Sequence, residues 1–158
     1  MQAIEPIGII ETPFQSIEDM PIQPKGAAQV TGCIVVHPQY ATGLKDLEGF
    51  SHLYLIYRFH AAKRTELEVV PFMDTQTRGV FATRSPARPN HIGLSVVELA
   101  RVEGNRVYLN GIDVLNGTPV LDIKPYIEKF DRVEQARSGW MTGSSEDVAN
   151  RRSDARFG

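Results

Sequence analysis

Between Arg78 and His91 the chain carries three arginines, Arg78, Arg84 and Arg88, and no acidic residue. The stretch offers their guanidinium groups no acidic side chain, so they are expected to meet a carboxylate, a phosphate or water. The residues around them read Gly79-Val80-Phe81-Ala82-Thr83-Arg84-Ser85-Pro86-Ala87-Arg88-Pro89-Asn90-His91-Ile92-Gly93-Leu94-Ser95. Pro86 and Pro89 each fix φ at about −65° and bias Ser85 and Arg88 to extended conformation, which makes a stiff loop suited to holding a bound group. A second segment, Asn116-Gly117-Thr118-Pro119-Val120-Leu121-Asp122-Ile123-Lys124-Pro125-Tyr126, is a turn followed by a short apolar stretch that ends in an acid, a base, a proline and an aromatic. Asp122 and Tyr126 there, with His60 further up the chain, are candidate proton acceptors.

Several common chemistries lack their residues. There is no GxGxxG between a strand and a helix, no GxxxxGK[ST], no HExxH and no CxxC, so Rossmann cofactors, P-loop nucleotides and the usual zinc sites have no support. The four histidines, His37, His52, His60 and His91, show no metal-ligand spacing, and no metal is expected. The single cysteine, Cys33, lies in an apolar strand, where a buried and inert thiol is expected; alone it makes neither an intrachain disulfide nor a metal site.

The elements that must position these residues are mostly strands. β-rich runs at 7–10, 30–36, 53–59, 67–70, 79–83, 94–99, 106–109 and 120–123 are separated by Gly, Pro, Asn and Asp, which predicts an all-β domain with minor helix, a small antiparallel barrel closed or nearly so. Residues 53–59 are apolar on both faces, so this strand is expected to be covered on both sides, by a helix or by a subunit. Gly104-Asn105 reads as the turn of a hairpin. The best helix signal covers 39–47 after Pro38, weakened by Thr42 and Gly43. Residues 13–28 and 61–66 read as loops. The division expected is a barrel domain over 1–137 and a polar tail over 138–158 anchored by Trp140 and Met141.

One core suits 158 residues. The formal net charge of −2 provides no global attraction for nucleic acid, so any such contact must come from a local basic face or a second subunit. No stretch approaches the roughly 18 apolar residues of a membrane span. With acidic Glu5 where a signal peptide carries basic residues, a soluble cytoplasmic protein is expected.

The two segments together closely resemble those of the TsaA-like family, also called YaeB-like or TrmO, with its ATRSPxRPNPIGLS-type loop and DGTPVLDIKPY-type segment. The resemblance extends in weaker form to residues 7–14 and 47–55 and covers roughly the first 126 residues. It departs at His91, where the family usually has proline, and at Asn116, where it has aspartate. The family's members are S-adenosylmethionine-dependent methyltransferases on a β-barrel, acting on N6 of threonylcarbamoyl adenosine at position 37 of certain tRNAs, and they are dimeric. The resemblance therefore implies S-adenosylmethionine as cofactor, tRNA as substrate and a homodimer. It carries cofactor contacts onto Ala27, Ala28 and Gln29, onto His60 and Ala61, onto Arg84 and Leu94, and onto Asp122, Ile123, Lys124 and Pro125. In that reading Leu94 and Ile123 pack the adenine, Gln29 or backbone groups at 121–123 read its edge, Arg84 takes the carboxylate or organises the loop, and Asp122 accepts from the ribose or offsets positive charge. Arg78, Arg88, Lys124, Lys129 and Arg132 become candidates for the RNA backbone. A same-fold methyltransferase with another small-molecule or nucleic-acid acceptor, and a non-catalytic S-adenosylmethionine-binding module, are the competing expectations.

Overall fold

A computed structural model of the chain describes residues 2–16, 18, 31–72 and 74–141. Its strands are β1 (Gly8–Glu11), β2 (Thr31–Val36), β3 (His52–Arg58), β4 (Glu68–Val69), β5 (Arg78–Gly79), β6 (Ile92–Glu103), β7 (Arg106–Asn110) and β8 (Pro119–Pro125), and a short helix α1 spans Glu128–Asp131. Six of them close an antiparallel barrel in the order β1-β2-β7-β6-β3-β8, completed by pairing of β8 with β1. β4 and β5 form a separate two-stranded ribbon. Closure leaves the barrel no edge strand for another chain to extend.

The period-2 pattern places the core. On β3, Leu53, Leu55 and Tyr57 point inward, facing Val97, Ser95 and Gly93 across β6. Ile10, Ile34, Val36, Val107, Leu109, Ile112 and Val120 join them with almost no exposure. Each such aliphatic side chain contributes about 1.5–3 kcal/mol by leaving water, and a slip of one residue would turn a whole strand's set outward, so the register is strongly specified. Where the chain crowds most, glycine is required: a Cβ on Gly32 would stand 2.8 Å from Ile112 Cγ2. Cys33, on β2, is buried as expected; burial pushes its thiol up although the Arg106 guanidinium lies 3.7 Å from the sulfur.

The structure corrects two expected elements. The helix at 39–47 is instead two 3-10 turns, Pro38–Leu44 and Leu47–Gly49, neither with a buried side chain, because Thr42 and Gly43 disfavour a longer α-helix and no apolar stripe rewards one. The strand at 79–83 ends after Gly79, and Val80–Ala82 form a 3-10 turn that buries Val80 and exposes Phe81. On β3, Leu53, Leu55 and Tyr57 are buried, while Tyr54 and Ile56 are half-exposed on the outer side of the single chain. The hairpin holds, with Gly104 at φ +58° in the β6–β7 turn. The long loop at 13–28 lies mostly outside the described residues.

A cleft beside the motif loop

β3 runs alongside β6 from Ile92, whereas β7 pairs with β6 only from Glu98 onward. Beside the first half of β6 an open cleft of about 710 Å³ is walled by Gly93, Leu94 and Ser95, by the loop at 83–88, and by Asp113, Val114 and Leu115 beyond β7. Phe59, Phe72, Trp140 and Met141 add apolar surface, and Arg84, Arg88 and His60 add basic groups.

The loop is held by its own small polar residues. The Thr83 hydroxyl donates to Val80 O (2.8 Å) and accepts from Ser85 N (3.2 Å), and Ser85 Oγ accepts from Ala87 N (3.1 Å). Such side-chain oxygens bind loop amides that no strand partner satisfies. Arg88 Nη1 donates to the carbonyls of Thr83 (2.9 Å) and Ser85 (3.3 Å), so this guanidinium clamps the loop. His91 adopts φ +52°, a conformation closed to proline, with its amide donating to Arg88 O (3.1 Å). Its Nδ1 lies 2.9 Å from Pro86 O; a carbonyl only accepts, so Nδ1 carries the proton. A side-chain bond thus secures the loop at the position where the family's proline would secure it by its ring. Asn116, the other departure, accepts the Thr12 amide through Oδ1 (3.1 Å), a task that an aspartate oxygen performs equally.

In the cleft wall three residues form a hydrogen-bonded line. Ser95 Oγ donates to Asp113 Oδ1 (2.9 Å), and the Tyr57 hydroxyl lies 3.0 Å from Ser95 Oγ. Since Ser95 spends its proton on Asp113, Tyr57 must donate. Burial pushes the Tyr57 phenol up, so it keeps the proton that this role needs. Burial also pushes the Asp113 carboxyl up to about 6, with Ser95, its own amide and Arg84 pulling the other way.

The structure brings His60, Ala61, Arg84 and Leu94 together on this cleft. Asp122 and Lys124 stand exposed on the outer face of β8, and Ile123 turns inward toward the core. Asp122 sits opposite Ile56, which sits opposite Leu94, so two strand spacings, about 10 Å, separate Asp122 from Leu94. Its Oδ1 accepts the Ile123 amide at 2.9 Å. Tyr126 packs its ring 5.6 Å from that of Tyr54, which lines the cleft. Ala27, Ala28 and Gln29 lie outside the described residues. Of the basic candidates, Arg78 is paired with Asp74 (2.6 Å), upstream of the acid-free window, and stacks over Trp140. Arg132 lies 3.5 Å from Glu128, while Lys124 and Lys129 are exposed. Among the described residues no cluster of His, Cys, Asp or Glu is placed to hold a metal ion, and no helix is long and apolar enough to cross a membrane.

Sequence reading alone missed Tyr57, Ser95 and Asp113. Tyr57 reads as a core aromatic, Ser95 as the end of a motif and Asp113 as a loop residue, and only the barrel register joins them.

Residues 9–132 match the family described as the tRNA-methyltransferase O N-terminal domain. A probable S-adenosyl-L-methionine-binding protein of Pyrococcus abyssi is 48% identical over 99% of this chain and 85% of its own length. The tRNA (adenine(37)-N6)-methyltransferase of Homo sapiens is 39% identical over 80% of this chain, but only 30% of that protein is spanned. A crystal structure of TrmO from Pseudomonas aeruginosa superposes with a TM-score of 0.76 at 40% identity, over 90% of this chain and 63% of that one. Fold, motif loops and relatives agree, and the chain belongs to the TrmO N-terminal domain family.

Proposed function

We propose that this chain is an S-adenosylmethionine-dependent methyltransferase acting on tRNA, with N6 of the threonylcarbamoyl adenosine at position 37 as the acceptor. The observation that carries the reading is the cleft walled by the motif loop and the first half of β6, with Thr118 of the second segment at its wall, which offers apolar, cationic and anionic surface together. Its volume lies in the range of small-molecule sites, and its lining suits a nucleoside joined to a charged amino acid. Arg84 holds the cofactor's carboxylate, Leu94 packs against its adenine, and His60 and Ala61 close the rim. Asp122, Ile123, Lys124 and Pro125, with Ala27, Ala28 and Gln29, complete the cofactor's surroundings, and Tyr126 borders the acceptor. When bound, S-adenosylmethionine supplies an electrophilic methyl group on a sulfonium. The chain's part is to orient the acceptor in line with that group and to exclude water from it.

Lys124 and Lys129, both exposed, contact the RNA backbone, with Arg78, Arg88 and Arg132 as further contacts. Loop bases of RNA are splayed out and stacked on aromatic or guanidinium planes, so no duplex need be opened. Because the net charge is −2, a second copy of the chain completes the RNA surface, seated on the outer side of β3 and β6 where Leu94 is 57% exposed. The reaction takes place in the cytoplasm.

The test supplies tRNA with and without the threonylcarbamoyl group, together with labelled cofactor. One methyl group per modified tRNA is expected and little on the unmodified form. Cofactor binding by calorimetry without transfer to any tRNA pool sinks the reading in favour of another acceptor; absence of binding at millimolar cofactor sinks it altogether.

A further inference from the structure

An amine that takes up a methyl group must shed a proton, and the residues of the two motif segments do not settle where it goes. Asp122 is exposed on β8, its Oδ1 engaged with the Ile123 amide, and it does not line the cleft. Asp113 does line it, on the segment that faces the first half of β6. Three further elements face its carboxylate: Tyr57 from β3, Ser95 from β6 and Arg84 from the motif loop. Tyr54, His60 and Arg88 are the other titratable or charged groups of the same cleft.

We propose that Asp113 is the catalytic proton acceptor of this site and that Tyr57 and Ser95 are positioning residues that hold its carboxylate toward the acceptor amine. The assignment rests on the methyltransferase reading above. As the new N–C bond forms, the S–C bond breaks and the thioether leaves with its electron pair. The proton on nitrogen passes to Asp113 and then to water. A half-buried carboxylate fixed by a donor at Oδ1 loses little orientation as the amine approaches, which is what general-base catalysis requires. The elevated Asp113 pKa of about 6 serves the same end, since a base poised near the working pH is ionised and still a useful acceptor.

Three proteins test this, the wild type, Asp113→Asn and Ser95→Ala, each followed by calorimetric cofactor binding, single-turnover transfer against pH, and carboxyl-carbon NMR titration of labelled aspartate. Asp113→Asn is expected to bind cofactor within a fewfold of wild type and to transfer about 10²–10⁴-fold more slowly. Wild-type transfer rises with pH through about 6, because Asp113 must be ionised. Ser95→Ala removes a bond that favours the ionised form, so both the acid limb and the NMR titration move to higher pH. Wild-type transfer together with an unimpaired Asp113→Asn, or a Ser95→Ala protein with an unmoved limb, overturns the Asp113 assignment alone. A wild type that binds cofactor but methylates no tRNA overturns the proposed function and this assignment with it.

Discussion

Burial raises the Asp113 carboxyl from 3.8 to about 6, so the folded protein holds this proton more tightly than the unfolded chain does. Folding then takes up a proton between those two values. Stability associated with Asp113 is fully present below about pH 4 and is lost as pH rises through 6, on the order of 3 kcal/mol in all. Asp113→Asn cannot ionise, yet its carbonyl still accepts from Ser95. Thermal denaturation should show this variant melting above wild type at pH 8 and near it at pH 4. Equal destabilisation at both pH values would mean that the carboxylate is structural and contributes to the fold at neutral pH. A site that costs stability while wild type keeps it is the pattern expected of a functional group.

At the scale of elements, the glycine of the Ile-Gly-Leu-Ser motif has a packing reason. A Cβ built on Gly93 would overlap the edge of the Tyr57 ring and stand 2.9 Å from Phe59 Cζ. Gly93 and Tyr57 face one another across β6 and β3, and the ring lies 5.3 Å from that of Phe59 in an edge-to-face contact. The glycine thus admits the ring whose hydroxyl supports Ser95. Gly93→Ala must displace Tyr57, at a cost of about 1–3 kcal/mol in denaturant unfolding, and should lower transfer as the Tyr57–Ser95 bond is lost. A variant with wild-type stability and rate would show that the ring moves freely. What the sequence does carry is local: β-rich runs broken by Gly, Pro, Asn and Asp mark the strands, so the barrel is legible without the structure. The 3-10 turn at Val80–Ala82 is not, because Val80, Phe81 and Ala82 favour a strand until Val80 is called into the cluster with Val69 and Ala87.

Across the whole molecule, the C-terminal segment returns to the cleft beyond the limit of the family match at 132. Trp140 Nε1 donates to Ala82 O (2.8 Å), and the indole lies under the Arg78 guanidinium, 5.9 Å from its centroid. Trp140 is the only tryptophan of the chain and lines the cleft, so its emission reports on whatever enters. Titration with S-adenosylmethionine should change that emission along the same curve as the calorimetric heat, and Trp140→Ala should weaken binding severalfold while Trp140→Phe keeps most of it. Heat without any change in emission would place the ligand away from this wall.

From the residues themselves came the strand pattern, the hairpin at Gly104-Asn105, the stiff loop between Pro86 and Pro89 and the family that those segments mark. These follow from side-chain type and short spacing, which act within a few residues. Tertiary structure alone decided which polar groups meet. Tyr57 and Ser95 are 38 positions apart and Ser95 and Asp113 are 18 apart, and they touch because closure of the barrel sets β3 and β6 in one register and leaves residue 113 beside it. Asp122, read from its motif, faces outward from β8 where a register shift intervenes at Ile56 and Tyr57. Arg78 and Arg88 find partners in Asp74 and in loop carbonyls, since a folded loop supplies acceptors that a window of sequence does not display. A carboxylate's chemistry depends on what surrounds it in space, and burial is a property of the closed barrel as a whole.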